Sequence, residues 1–339
     1  MKAYELDKFG IENLRIVDAA MPEPGDDEVL VKVHSASLNY RDLMVVNGQY
    51  NPRMKLPVVP LSDAAGEVTA VGKNVVSRRV GERVMPLFVQ KWFDGRLDVP
   101  ASRSSLGGDA RSNGVLREYA AFNERSVVSI PEYLSFAEAA TLPCTALTAW
   151  NALVESGKLQ KGETVLTLGT GGVSIFAVQI AKLFGARVIA TSSSDAKIEK
   201  LKALGADETI NYRSTPDWEQ KVLEWTGGQG VDHVVEVGGA GTIEKSVASV
   251  RMGGEIAMIG ALSGGASVDT VPIFMRAISL NGIFVGSKAM FERMLKEFTR
   301  AELRPVIDRE FSFDEAPEAL RYMQKGEHFG KIVINYERH

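Results

Sequence analysis

The stretch Thr164–Lys182, TVLTLGTGGVSIFAVQIAK, decides the fold. TVLTL is a short apolar β-rich run, GTGG a glycine-rich turn, and VSIFAVQIAK is apolar at helical spacing. Gly169 and Gly171 fit the first two glycines of G-x-G-x-x-G, and Ser174 stands at the third position. Gly169 permits a tight turn off the strand. Gly171 lets a pyrophosphate approach the backbone at the helix N-terminus, where free N–H groups and the helix dipole favour anions. Gly172 and Val173, next in the turn, are further candidates for binding the cofactor. The third glycine normally allows close packing of helix on strand; Ser174 is small enough to substitute, and its hydroxyl is expected to back-bond within the first helical turn. Ala177 and Ala181 continue a small-residue face. A turn of this kind also arises as a plain structural corner, so its meaning depends on what surrounds it.

The downstream sequence supplies that context. Apolar runs at 187–191, 208–210, 232–237, 254–260 and 281–286 alternate with helical patterns such as DAKIEKLKALGA and DWEQKVLEW. Strands apolar throughout, with crossover helices, predict a parallel sheet buried on both faces. With 164–168 as the first, six strands predict a doubly wound α/β fold of order 3-2-1-4-5-6. The first 130 residues read as a mainly β domain. In EVLVKVHSAS, Val29, Val31 and Val33 recur at every second position, with Glu28, Lys32 and His34 among the residues between, the period of a half-buried strand. The terminal KIVINY has no βα partner and is assigned to that first domain. The expected division is therefore 1–130 with 288–339, and 131–287. Residues 90–114 form the longest irregular segment.

The chain has 339 residues, 45% hydrophobic and 24% charged, with a net charge of -4. Such a balance argues against nucleic acid or an anionic membrane as the main partner. The start, MKAYELDKFG, lacks the apolar region of a signal peptide, and no apolar run reaches the roughly 20 residues of a membrane span. Cys144 is the single cysteine, so no intrachain disulfide forms, and a cytoplasmic protein is expected.

The cofactor ribose is read about twenty residues after the glycine turn. An NAD site places Asp or Glu there; this chain offers Ser192, Ser193 and Ser194, then Lys197, with Tyr212 and Arg213 after the third strand as a second wall. Hydroxyls and a lysine suit a 2′-phosphate, so NADP(H) is expected over NAD(H). The plainer reading makes Lys197 a solvated helix residue and the serines an N-cap; Asp195 keeps an NAD site open. Catalytic zinc needs three ligands of Cys, His or Glu type, and structural zinc usually four cysteines. One cysteine and four scattered histidines (His34, His233, His328 and His339) predict no metal site.

The motifs LNYRDLMVVNGQY (38–50), AAGEVTAVG (64–72), LPCTALTAWNAL (142–153), GTGGVSIFAVQIAK (169–182), GVDHVVEVGG (230–239) and GKIVI (330–334) resemble, over essentially the whole chain, the zinc-independent members of the medium-chain dehydrogenase/reductase superfamily, in its quinone-oxidoreductase-like and zinc-free alcohol-dehydrogenase-like group. The resemblance implies a GroES-like domain, a Rossmann domain, a cleft between them and a homodimer. Where zinc relatives carry ligands, this chain has Asn39, Ser62 with Asp63, and Cys144. By the same resemblance Asn39, Asp42 and Tyr50 lie near the nicotinamide, with Tyr50 positioning or protonating a substrate carbonyl. Otherwise Tyr50 is an exposed loop aromatic and Asp42 caps the segment that follows it. Thr148, Gly238, Ile259, Phe284, Val285 and Lys331 match cofactor-contacting positions. Trp92, Phe93, Met290 and Phe291 line an apolar pocket or belong to the core. The implied activity is NADPH-dependent hydride transfer to a quinone or α,β-unsaturated carbonyl. A metal-free alcohol dehydrogenase or aldehyde reductase is the alternative within enzymes, and an NADP(H)-binding protein with little catalysis the alternative outside them.

Overall fold

The computed structural model describes residues 1–108, 112–260 and 268–336. The chain divides into two compact units, Met1–Leu147 with Gly286–His339, and Thr148–Val285. In the first unit, β1 (Lys2–Leu6) pairs antiparallel with β2 (Leu14–Asp18). The long strand β3 (Glu28–Ser37) pairs antiparallel with both β4 (Asp63–Val71) and β6 (Tyr119–Asn123), while β5 (Arg83–Pro86) and β7 (Val127–Ser129) extend the sheet beyond β4. Val29, Val31 and Val33 enter the core of this unit, as their alternation predicts.

Two details of this unit differ from the expected outline. The first boundary falls after Leu147 and not at 130. The reason is local packing: the helix Phe136–Ala139, capped reciprocally by Ser135 and Glu138, lies on β3 and β4, and Phe136 stacks on His34 with centroids 4.3 Å apart. The 90–114 segment also holds a short helix, Val99–Ser102, whose N-cap Asp98 accepts the Ala101 N–H at 2.7 Å.

The second unit is the parallel sheet. Its strands are β8 (Thr164–Thr167), β9 (Arg187–Ser192), β10 (Glu208–Asn211), β11 (Val231–Glu236), β12 (Val250–Met258) and β13 (Ser279–Gly282). All pairings are parallel and the order is β10-β9-β8-β11-β12-β13, which is 3-2-1-4-5-6. Val165, Leu166, Val188 and Ile189 are fully buried, as strands sandwiched between helices must be. The last strand was expected over 281–286. It ends at Gly282, and Val285 takes a left-handed φ of 49°, which no strand residue adopts.

After Val285 the chain returns to the first unit. Ser287 caps the helix Lys288–Ala301, and β14 (Ile307–Ser312) and β15 (Lys331–Asn335) complete the first sheet. β15 runs antiparallel to β3, with Val333 opposite Ser37, so Lys331 arrives where β3 ends and the next helix begins.

Candidate active site

In the second unit, the glycine turn has the geometry its sequence predicts. Gly169 has φ +71°, and Gly171 is the extended N-cap of the helix Gly172–Leu183. Among the described residues, a Cβ at either glycine would meet nothing within 4 Å, and no side chain caps that helix. The open cradle and free helix N–H groups fit a pyrophosphate. Ser174 departs from expectation. Its fully buried hydroxyl donates to Leu168 O at 2.7 Å, tying the helix to the end of β8 and not to its own first turn. Thr191, at the end of β9, accepts the Gly169 N–H at 3.3 Å.

The ribose-reading segment is partly used for structure. Ser192 is buried and its hydroxyl accepts the Ser194 N–H at 3.3 Å. Ser194 is the N-cap residue of the helix Asp195–Ala203 but makes no side-chain cap bond, so the serines do not act as a cap. Asp195 accepts from Asn211 Nδ2 at 2.6 Å. Ser193 and Lys197 are half-buried, and Tyr212 is 40% exposed after β10. Gly238 is fixed by packing, since a Cβ would lie 2.4 Å from Thr242 Oγ1. Its N–H donates at 2.7 Å to Glu236, whose fully buried carboxylate also collects the Gly239 N–H and the hydroxyls of Thr242 and Ser246. The Ile259 N–H bonds Glu236 O at 2.9 Å. Thr148 is buried, Phe284 half-buried, and the Val285 carbonyl accepts from Asn151 Nδ2 at 2.8 Å.

The first unit carries a buried charged cluster. Lys331 is 2% exposed, and its ammonium donates to Leu38 O at 2.6 Å and Asn39 Oδ1 at 2.7 Å. Asn39 and Asp42 form the reciprocal capping box of the helix Tyr40–Val46, with the Asn39 N–H on Asp42 Oδ2 at 2.8 Å. Asn39 Nδ2 reaches Ser62 Oγ at 3.3 Å, and that hydroxyl donates to Asp42 Oδ1 at 3.4 Å. Asp63, at the start of β4, accepts the Cys144 N–H at 3.1 Å, while its other oxygen, fully buried, has no partner among the described residues. Leu61, with φ +68°, turns the chain immediately before Ser62 and Asp63.

Electrostatics follow from this burial. Desolvation pushes the Asp63 carboxyl up to about 7, with the Lys331 ammonium opposing. Asp42 is also raised by burial, against the pull of Arg41. Burial lowers Lys331, opposed chiefly by Asp63. Burial and the Asp63 charge push the Cys144 thiol up, so it is a poor nucleophile. The cluster can hold a proton on Asp63 near neutral pH, and it fixes the Lys331 amine beside Asn39.

The site residues expected from sequence therefore separate. Asn39 and Asp42 lie together, but in the interior, with Asp42 in its capping role. Tyr50 is 39% exposed and covers the Arg41 guanidinium, 4.6 Å from its ring centroid. The Lys331 amine points into the cluster, where it bonds Asn39 and Leu38. Trp92 and Phe291 are core residues, and Phe93 stacks under Arg125. His34 stacks on Phe136 and His233 bonds Glu163 at 2.9 Å; His339 lies outside the described residues. Glu236, Thr191 and Arg41 were not anticipated. An acidic residue closing an apolar strand before two glycines is the signal that finds Glu236; nothing in the sequence sets Arg41 apart.

Residues 25–132 match the alcohol dehydrogenase GroES-like domain model and residues 172–300 the zinc-binding dehydrogenase model. A zinc-type alcohol dehydrogenase-like protein of Schizosaccharomyces pombe is 42% identical, over 97% of this chain and 96% of its own length. The 2-methylene-furan-3-one reductase of Solanum lycopersicum is 33% identical, over 99% of this chain and 79% of its own. The crystal structure of an NAD-dependent alcohol dehydrogenase superposes with a TM-score of 0.90 at 36% identity, covering 99% of this chain and all of that one. The zinc that one of these models names does not suit the donors present. Among the described residues the cluster offers one thiol and no imidazole, the Lys331 amine already sits 2.7 Å from Asn39 Oδ1, and no three His, Cys, Asp or Glu side chains converge. With both domain models matched in order and a relative of 42% identity along its length, the chain belongs to the medium-chain dehydrogenase/reductase superfamily of oxidoreductases.

Proposed function

We propose that this protein is a metal-independent, NADP(H)-dependent reductase of quinones or α,β-unsaturated carbonyl compounds. The observation that carries the reading is the buried Lys331 amine bonded to Asn39 Oδ1 beside Asp42 and Asp63, filling the place where a Lewis acid would need open ligands. Conjugated acceptors delocalise the incoming charge and depend less on a Lewis acid than a simple ketone does. When bound, the nicotinamide supplies the hydride. The chain's own part is positional. The Gly169–Gly171 turn and helix N-terminus hold the pyrophosphate, Ser193, Lys197 and Tyr212 take the 2′-phosphate, and Tyr50 orients the carbonyl. The reductase among the relatives supports an enone acceptor.

The NAD-dependent alcohol dehydrogenase among the neighbours favours the second reading, alcohol or aldehyde redox chemistry. Steady-state rates with a quinone, an enal and a saturated alcohol, each with NADPH and NADH, rank the two. Alcohol oxidation with inert quinones and enals overturns the proposal, and tighter NADH binding overturns the cofactor assignment.

A homodimer through β13 completes the proposal. This edge strand is largely exposed, and Val271, Phe274 and Met275 nearby are 53%, 66% and 66% exposed. An unpaired edge beside an apolar patch is suited to pairing with a second copy. Sedimentation of the wild type against Phe274→Glu tests it; a monomeric wild type refutes it.

A further inference from the structure

Arg41 has an unused half. Its side chain is 11% exposed, and its Nη1 donates to Leu106 O at 2.8 Å and stands 3.5 Å from Asp42 Oδ1. The ring centroids of Tyr50 and Phe88 lie 4.6 and 5.0 Å from its Cζ, so aromatic rings hold the guanidinium by its π system. Nε and Nη2 are both buried and have no partner among the described residues. A guanidinium carries five N–H donors, and buried donors are almost always satisfied. The two orphaned nitrogens are not scattered: they form one edge, the side-on fork whose parallel N–H bonds match the two oxygens of a carboxylate. Gly108 closes this region. A Cβ there would lie 2.8 Å from Nη2 and 3.9 Å from the Tyr50 ring, so any larger residue would press on the fork.

We propose that the Nε–Nη2 edge of Arg41 is a seat for a carboxylate carried by the substrate, which makes the preferred acceptors unsaturated carbonyl compounds bearing a carboxylate. The substrate half of this statement rests on the reductase reading above; the seat itself does not. Tyr50 and Phe88 hold the fork in one plane, and its shielding from water strengthens a charge-assisted pair. Two adjacent donors favour a two-oxygen anion over a single carbonyl oxygen.

The direct test is NMR of the full-length protein labelled with 15N-arginine, the Arg41 Nε–H resonance being assigned by its absence in Arg41→Lys. Acetate, acetamide and inorganic phosphate are titrated in turn. The expected result is a saturable shift of that resonance with acetate at millimolar levels, none with acetamide, and loss of the acetate response in Gly108→Ala, which keeps the guanidinium. No response to acetate, an equal response to acetamide, or a response to phosphate alone overturns the carboxylate seat. Turnover then tests the substrate class, with a carboxylate-bearing enone compared with its methyl ester. Arg41→Lys, which keeps the charge but loses the fork, is expected to lower kcat/KM for the acid by about tenfold or more, as loss of a charged hydrogen bond does, and to change the ester little. Equal losses on both overturn it. If the wild type reduces neither compound, the reductase reading fails while the NMR result still decides the seat.

Discussion

The two units handle buried polarity in opposite ways. In the parallel-sheet unit, the one deeply buried carboxylate described above, Glu236, is surrounded by donors: two backbone N–H groups and two hydroxyls. In the other unit, Asp42, Asp63 and Lys331 share a few hydrogen bonds, and one Asp63 oxygen is left without a described partner. The first arrangement is a rigid brace for a backbone cradle. The second keeps charge in the interior, where proton affinity is shifted and removal of one member leaves the others exposed to low dielectric.

The sharpest way to break this comparison is Lys331→Met. It leaves Asp63 buried without its cation, while Asp42 keeps Arg41, and a loss of about 3–5 kcal/mol is expected in urea unfolding. Lys331→Met combined with Asp63→Asn should be destabilised by less than the sum of the two single changes, because the charges are coupled. Additive losses would mean that the cluster is a set of independent hydrogen bonds.

Asp63 gives a pH signature of smaller size. Its folded pKa, about 7, lies above the ordinary 3.8, so the native state binds its proton more tightly than the unfolded chain. The stabilisation is fully present below pH 3.8 and is lost as pH rises through 7. Asp63→Asn should therefore gain stability relative to wild type across that interval, by an amount on the order of a few kcal/mol. A constant difference across the interval would contradict the raised value.

The smallest effect belongs to the cradle. Ser174→Ala removes the buried bond to Leu168 O and should lower stability by about 1 kcal/mol, partly offset by the better helix propensity of alanine. Dinucleotide affinity should hold, since the Ser174 hydroxyl bonds the end of β8 and not the cradle's open face. A large loss of affinity would move Ser174 from the brace to the binding surface.

The same contrast explains what the sequence makes legible. A site built from backbone is written in local spacing, so Gly169, Gly171 and the apolar strands are read directly, along with the sheet order they imply. A site built from side chains is assembled by topology. Lys331 meets Asn39 across a separation of 292 residues because β15 pairs with β3, and no local pattern encodes that approach. The resemblance to known relatives brought Asn39, Asp42 and Lys331 into view, but not that their polar atoms bond one another. The last strand was misplaced for a related reason: the apolar run at 281–286 is continuous, yet the chain leaves the sheet at Gly282 and bends at Val285.

We propose that the Lys331 amine, and not a metal, supplies the positive group beside Asn39. The most direct measurement is NADPH oxidation by an enal, using protein whose metal content is determined before and after exhaustive dialysis against a chelator. Full turnover is expected in metal-free protein, and a severe loss in Lys331→Met. Activity that disappears with chelation and returns on adding zinc would contradict it.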